Sequence, residues 1–398
     1  MQRGFRKNSK FMTILIDIRP LMDARYSGVS EYIFRLLNAL FKIDDKNQYI
    51  LLYNSFSNVR EPKFDFANVK IVRKKIPNRI LNYPLLWLLR RPRFDKWVNE
   101  KVDIFFMPHI NYMAVSKNVK TILAVHDISF LVEPRFFSWW KNLWHTFVMI
   151  KQLVKRFDRI VVFSNHTKQD LMALCKVEEN KISVIHSGID ESFVEYLKDD
   201  NKITELKKKY NLEKPFILFL ATLEPRKNVE GLVLAFNELK KKEANDLQLV
   251  LAGGRGWKSG PIFKLIASSP YKNDIKVLDY VEESERPTLY NAAEIFAYPS
   301  FYEGFGFPPL EAMACGTPVV AAGVSSLPEI IGNAGILIDP YNPNSIALGI
   351  EQILENKELA QDLKRKGLEQ AKQFNWETSA MHYLELFAKM QAYDKNIT

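Results

Sequence analysis

Short apolar runs alternate along this chain with longer segments whose apolar residues recur at helical spacing. An apolar run bounded by polar residues reads as a buried strand; a repeat at i, i+3, i+4 reads as a one-sided helix. On that basis Met12-Thr13-Ile14-Leu15-Ile16-Asp17 opens a first half, and a helix over 30–41 follows. Strands are expected over 49–53, 104–107, 121–125, 160–163 and 182–185. Ser164 is placed to cap a helix that starts near His166 and carries Asp170 in its first turns. A polar, lysine-rich linker is expected over 190–212, with a helix over 203–210.

A second half begins at Pro215-Phe216-Ile217-Leu218-Phe219-Leu220. Its later strands fall over 248–252, 275–278, 295–297, 319–321 and 336–338. Pro340 breaks the chain before a helix over 345–355, and a terminal helix is expected over 376–393. Strands alternating with helices imply parallel sheets covered on both faces. The predicted fold class is α/β, with two doubly wound, Rossmann-like domains facing across a cleft. Ligands bind such sheets at the carboxyl ends of their strands. His126, Arg226, Lys227, Gly253 and Glu303 all follow predicted strands closely.

Composition adds bounds. At 398 residues the chain exceeds the ~250–300 at which single cores stop growing, so two domains are expected. Its two cysteines, Cys175 and Cys315, have no CxxC partner, which excludes a disulfide scaffold or structural zinc and fits a reducing compartment. The start, Met1 to Lys10, is basic, runs straight into a strand and shows no small-residue cleavage site, so it does not read as a signal peptide. No apolar run of ~18 residues predicts a transmembrane helix.

The net charge of +10 is concentrated. Residues 70–101 hold ten basic side chains against Asp95 and Glu100, and 134–157 hold five with no acid. Five of the seven tryptophans (Trp87, Trp97, Trp139, Trp140 and Trp144) lie in these stretches. Basic residues interleaved with large apolar ones suit an anionic membrane surface, the bland alternative being a half-buried helix with a solvated face. No nucleic-acid recognition motif accompanies them, and no nucleic-acid partner is expected.

The richest stretch for chemistry is Ser300-Phe301-Tyr302-Glu303-Gly304-Phe305-Gly306-Phe307-Pro308-Pro309-Leu310-Glu311. Glu303 falls in a glycine loop, and the prolines start a helix that places Glu311 in its first turn. Loop amides can hold a phosphate while carboxylates hold sugar hydroxyls. Arg226 and Lys227 stand at another expected helix start, where cations are disfavoured unless an anion sits between them. His126, with Asp127 beside it, ends a strand; His109 and His166 are weaker candidates, and His145, His186 and His382 read as structural. Gly28 reads as a turn glycine ahead of a helix. Gly253-Gly254-Arg255-Gly256 lacks the G-x-G-x-x-G spacing, so it reads as a tight turn and disfavours a dehydrogenase. Tyr280 and Val281 end a strand where backbone groups can meet a nucleotide base. No D-x-D pair ends a strand, Asp199-Asp200 being in the linker. Cation duties therefore fall to Arg226 and Lys227, with no essential metal or cofactor expected.

The Glu303–Glu311 stretch resembles the E-x7-E signature of retaining, nucleotide-sugar-dependent glycosyltransferases of the GT-B fold, family 4. Ala221-Thr222-Leu223-Glu224-Pro225-Arg226-Lys227-Asn228 resembles the family's basic loop, Val125-His126-Asp127 its strand-end histidine, and Gly28-Val29-Ser30-Glu31 its first glycine turn. Together they span roughly residues 12 to 395. The resemblance implies an acceptor-binding domain over 12–195, joined by the terminal helix 376–398, and a donor-binding domain over 211–375. It implies that Glu303 faces the transferred sugar, that Glu311 holds the ribose, and that Phe305, Gly306 and Phe307 offer amides to the sugar and diphosphate. His126 would touch sugar hydroxyls, Gly28 would approach the phosphate, and Gly253 would border the donor. The family's arginine stands five positions before the lysine, where this chain has Thr222; Arg226 directly precedes Lys227. The segments 222–228 and 126–130 look most like bacterial mannosyl- or rhamnosyltransferases of surface polysaccharide assembly. That implies a nucleotide-sugar donor, a glycan or lipid-linked acceptor, and a cytoplasmic protein peripheral on the inner membrane face. An epimerase or phosphorylase of the same fold, or a non-catalytic sugar-nucleotide-binding subunit, are the alternatives.

Overall fold

The computed structural model describes residues 11–23, 28–56, 59, 61–77, 91–111, 114–137, 150–197, 200–242 and 246–392. Arg79, Trp87, Arg90, Trp139, Trp140, Lys141, Trp144, His145 and Asp199 lie outside the described residues.

Seven strands form the first sheet: β1 (Thr13–Asp17), β2 (Gln48–Asn54), β3 (Val69–Lys74), β4 (Ile104–Met107), β5 (Lys120–Val125), β6 (Arg159–Val162) and β7 (Ile182–Val184). Six form the second: β8 (Phe216–Leu220), β9 (Gln248–Ala252), β10 (Ile275–Leu278), β11 (Ile295–Tyr298), β12 (Val319–Ala322) and β13 (Gly335–Ile338). The orders are β3-β2-β1-β4-β5-β6-β7 and β10-β9-β8-β11-β12-β13, with every pairing parallel. Both domains are doubly wound, as the alternating pattern predicted. The central strands read as unbroken apolar runs because both faces are covered; all four residues of β4 and of β11 are buried.

One strand departs from expectation. Residues 70–74 belong to the basic stretch read as an amphipathic surface, yet with Val69 they pair in register with β2 from Tyr49↔Val69 to Asn54↔Lys74. An edge strand tolerates charge along its length, and lysines there discourage pairing with other chains.

The strand order reverses between β1 and β4 in the first sheet and between β8 and β11 in the second. Such switch points open a crevice at the carboxyl ends of the strands. The helix Gly28–Ile43 follows β1 and buries Tyr32, Ile33, Leu36, Leu37, Leu40 and Phe41 along one face. The terminal helix Trp376–Ala392 returns to this helix, and the Tyr32 and Tyr383 hydroxyls meet at 2.6 Å in the core. Each buried aromatic there contributes roughly 2 kcal/mol. Gly188 makes the return possible: a Cβ on it would stand 2.2 Å from the Trp376 nitrogen.

Candidate active site

A cleft of about 820 Å³ opens between the two sheets. All the expected site residues line it: Gly28, His126, Arg226, Lys227, Gly253, Tyr280, Val281, Glu303, Phe305, Gly306, Phe307 and Glu311. His109 and His166 lie outside it. His109 is buried, with Nε2 3.5 Å from Asp17 Oδ2, and burial lowers the pKa of its ring to about 4. His166 faces Asp170 at 3.4 Å and the ring of Tyr302. His186 is 2.8 Å from Glu329, and His382 is exposed.

The centre of the cleft is a buried charge cluster. Pro225–Lys227 forms a single 3₁₀ turn after β8, and Asn228 leaves it in the left-handed region at φ 55°. The Asn228 side chain accepts from Gly231 N–H at 3.2 Å and so caps the helix Val229–Lys242. This corrects the expectation of two cations at a helix start: Arg226 and Lys227 precede the helix in a separate 3₁₀ turn, and Asn228 caps one of the helix's first amides. Lys227 Nζ donates to Glu303 Oε1 and to the Tyr298 hydroxyl, each at 2.6 Å. Arg226 lies 3.1 Å from Glu303 Oε2, donates to Tyr302 O at 2.6 Å, and contacts Glu224 at 3.1 Å. Burial alone would raise the Glu303 pKa, but Arg226 and Lys227 overcome it and hold the carboxyl at about 2. Burial and Arg226 push Lys227 below the usual lysine range, against the pull of Glu303.

The Glu303 loop is fixed from both domains. Its N–H donates to Ser325 Oγ at 3.0 Å, and Ser326 Oγ donates to Glu303 O and Phe305 O. From the other domain, Ser164 Oγ donates to Gly304 O at 2.8 Å while also capping the helix Asn165–Cys175. Tyr302 donates to Asp170 at 2.6 Å. Gly304 touches the end of β5 so closely that a Cβ would stand 2.0 Å from His126 O. Gly306, at φ 122°, turns the chain into the helix Phe307–Ala314. Because that helix begins at Phe307, Glu311 lies in its second turn rather than its first. Its carboxylate is buried, its pKa is raised by burial, and it accepts from the Tyr290 hydroxyl at 2.7 Å.

His126 Nε2 lies 2.9 Å from Pro108 O. A carbonyl only accepts, so Nε2 carries the proton. Burial lowers the ring's pKa, and the neutral ring keeps Nδ1 as an acceptor. Sequence reasoning did not single out Tyr298, Glu224, Trp257, Glu31 or Arg286, all of which line the cleft. Glu31 and Arg286 come within 3.6 Å across it. Among the described residues no group of three or more His, Cys, Asp or Glu is arranged to hold a metal ion, and no helix is long and apolar enough to cross a membrane.

Residues 202–370 match the family of glycosyl transferases group 1, and residues 26–193 match glycosyltransferase family 4. The chain is 32% identical over 301 residues to O-antigen chain mannosyltransferase B of Escherichia coli, covering 74% of this chain and 77% of that one. The chain belongs to the family 4 glycosyltransferases. This glycosyltransferase is also 27% identical over 98% of its length to the serotype-specific mannosyltransferase WbdA of Escherichia coli, of which it spans 47%. Its GT-B fold is shared by the Anabaena protein HepE, solved in complex with UDP and glucose (TM-score 0.70, 18% identity, 95% of this chain and 99% of that one).

Proposed function

We propose that this glycosyltransferase moves a hexose, mannose or a close relative, from a nucleoside diphosphate sugar to a glycan or lipid-linked glycan of a surface polysaccharide, with retention at the anomeric carbon. The observation that carries this reading is the convergence of Lys227 and Arg226 on Glu303, with the buried Glu311 in the same cleft. The name of the Escherichia coli relative supports mannose and O-antigen, and the UDP complex of HepE supports a nucleotide-sugar donor. In this reading the donor lies on the C-terminal domain, with its ribose on Glu311 and its base near Tyr280 and Val281. Phe305, Gly306 and Phe307 offer amides to the diphosphate, Gly28 and Gly253 border it, and His126 Nδ1 accepts a sugar hydroxyl. The acceptor hydroxyl attacks the anomeric carbon from the face that the phosphate leaves. The carbon–phosphate oxygen bond breaks, and the acceptor's proton passes to the departing phosphate oxygen. Arg226 and Lys227 stabilise the charge growing there without an essential metal. Glu303, an anion tied to two cations, is a weak nucleophile and acts on the sugar's developing positive charge. A trapped glycosyl adduct on Glu303 would overturn that assignment.

The test is a thermal-shift panel of GDP, UDP, dTDP and ADP with their common sugar conjugates. A ligand at ~100 times its dissociation constant stabilises by about 2.7 kcal/mol. One nucleotide class should raise the melting temperature, and Lys227→Ala or Glu311→Ala should abolish the shift. No shift with any of them sinks the nucleotide-sugar reading.

A further inference from the structure

A short helix connects the Glu303 loop to the first domain. The helix Leu327–Ile331 follows β12, and the residues at its start carry the loop. Ser325 Oγ accepts from Glu303 N–H, and Ser326 Oγ donates to Glu303 O and Phe305 O. A Cβ on Gly306 would stand 2.8 Å from Leu327 Cδ2, so the loop also packs against the first residue of the helix. Ser325 enters the helix at φ 57°, in the left-handed region that L side chains rarely adopt. Local preference does not favour that conformation, so the surroundings hold it.

Glu329 is where this helix meets the other domain. Its carboxylate accepts from Asn165 N–H at 2.8 Å and from Asn165 Nδ2 at 2.8 Å, and His186 Nε2 lies 2.8 Å from its Oε1. Asn165 N–H is among the first amides of the helix Asn165–Cys175, which have no intrahelical partner and favour an anion. Burial works to raise the Glu329 pKa, but the hydrogen bonds from His186 and Asn165 outweigh it and hold the carboxyl below its usual range. An ionised carboxylate only accepts, so His186 Nε2 carries the proton. His186 is itself anchored, since Ser379 Oγ donates to its carbonyl at 2.7 Å and its ring lies 5.6 Å from that of Phe374. Glu329, Asn165 and His186 do not line the cleft, and the donor reading above gives them no task.

We propose that Glu329 is a positioning residue for the transfer reaction: its hold on Asn165 and His186 fixes the helix Leu327–Ile331 and, through Ser325 and Ser326, the place of the Glu303 loop in the cleft. Glu329 touches neither donor nor acceptor and acts through the backbone of the loop. The loop is then held on two sides, with Ser164 of the first domain on Gly304 O directly and Glu329 behind it. This inference rests on the reading in which Glu303 faces the transferred sugar, and it adds the residue that sets the loop.

The experiment is amide hydrogen exchange on the full chain without ligand, read in wild type, Glu329→Ala, Asn165→Ala and the double variant. Glu329→Ala should quicken exchange at residues 303–306 about tenfold, the loss expected for one charged hydrogen-bonded contact. Exchange in β9 and β10, at the far edge of the second sheet, should be unchanged. Asn165→Ala, which leaves its backbone N–H in place, should give part of the effect and add nothing to Glu329→Ala. Release of nucleoside diphosphate from GDP-mannose, UDP-glucose, dTDP-rhamnose and ADP-glucose supplies the second reading. For the donor that the wild type turns over, kcat should fall about tenfold in Glu329→Ala while KM changes less than about twofold, because Arg226, Lys227 and Glu311 are untouched. Exchange at 303–306 and kcat like those of wild type overturn the proposal. So does faster exchange spread equally over β9 and β10, which would make Glu329 a brace of the whole fold, or additive losses in the double variant. If the wild type neither binds nor turns over any of the four donors, the sugar reading of Glu303 fails, while the exchange data still decide whether Glu329 sets the loop.

Discussion

Glu303 is an ionised carboxylate with its oxygens divided between two cations, and its charge should matter more than its shape. Glu303→Gln keeps the shape and frees Lys227 and Arg226. Turnover should fall by roughly 10²–10³, the usual loss when one transition-state electrostatic contact is removed. Nucleotide affinity should hold or rise, because the cations no longer share a competing anion; weakened nucleotide binding would contradict this. The same residue leaves an acid signature. Its pKa is depressed in the fold, from an ordinary 4.5 to about 2. A depressed carboxyl contributes stability that is present above the unfolded value and lost as pH falls through the folded one. Glu303 should therefore supply about 3 kcal/mol above pH ~4.5 that disappears toward pH ~2. Denaturant melts of wild type and Glu303→Gln across that window should converge as the pH drops, although other carboxylates titrate in both proteins.

Two contacts between elements decide whether the cleft is assembled. The loop after β11 meets the end of β5 through Gly304, and a Cβ there would meet His126 O, a backbone atom that cannot swing aside. Gly304→Ala should push the Glu303 loop off the other domain and lower turnover by at least about a hundredfold, since misplacement of ~1 Å costs that much. A variant with normal turnover would show that this approach is not needed. Glu31, on the helix after β1, faces Glu283 and Arg286 of the other domain and the buried Glu311. Burial, then Glu311 and Glu283, raise its pKa to about 7. A raised carboxyl stabilises the fold fully below its unfolded value, near 4.5, and that contribution is lost as pH rises through 7. Glu31→Gln, fixed in the neutral state, should flatten the fall in melting temperature between those limits. The central strands were legible because buried strands are continuously apolar, and the Glu303 loop because glycines, aromatics and acids crowd one short segment. β3 was not, because half of Val-Lys-Ile-Val-Arg-Lys is charged and an edge strand needs no apolar run. Arg286, Tyr298 and Trp257 were invisible, and Glu31 stood in its glycine turn without a role, because they matter through residues far away in sequence and no local pattern encodes that. The turn that holds Glu311 was misjudged by one residue, because the two prolines marked the helix start but Gly306 sets it.

At the scale of the whole molecule, a lipid-linked acceptor of the kind proposed above would have to reach a cleft between two domains. Arg91 and Arg93 are exposed, and the chain right after them is anchored at the cleft-facing end of the first sheet. There the Arg19 guanidinium, just past β1, stands 5.6 Å from the Phe94 ring centroid, and Ser116 N–H donates to Asp95 at 2.8 Å. Basic residues at the carboxyl edge of the N-terminal sheet would bring its strand ends, and so the acceptor side of the cleft, toward anionic headgroups. Each Lys or Arg near such a surface contributes about 1 kcal/mol. Replacing both Arg91 and Arg93 with alanine should therefore weaken binding to phosphatidylserine-containing vesicles about thirtyfold. Binding to neutral vesicles should be unaffected, and added salt should erase the difference as screening shortens the reach of the charges. Turnover with a water-soluble acceptor should stay at the wild-type level while turnover with a vesicle-borne acceptor falls, which separates a docking role from a catalytic one. Equal vesicle binding by wild type and the double variant would remove these arginines from the membrane reading and leave the basic charge as a solvated surface.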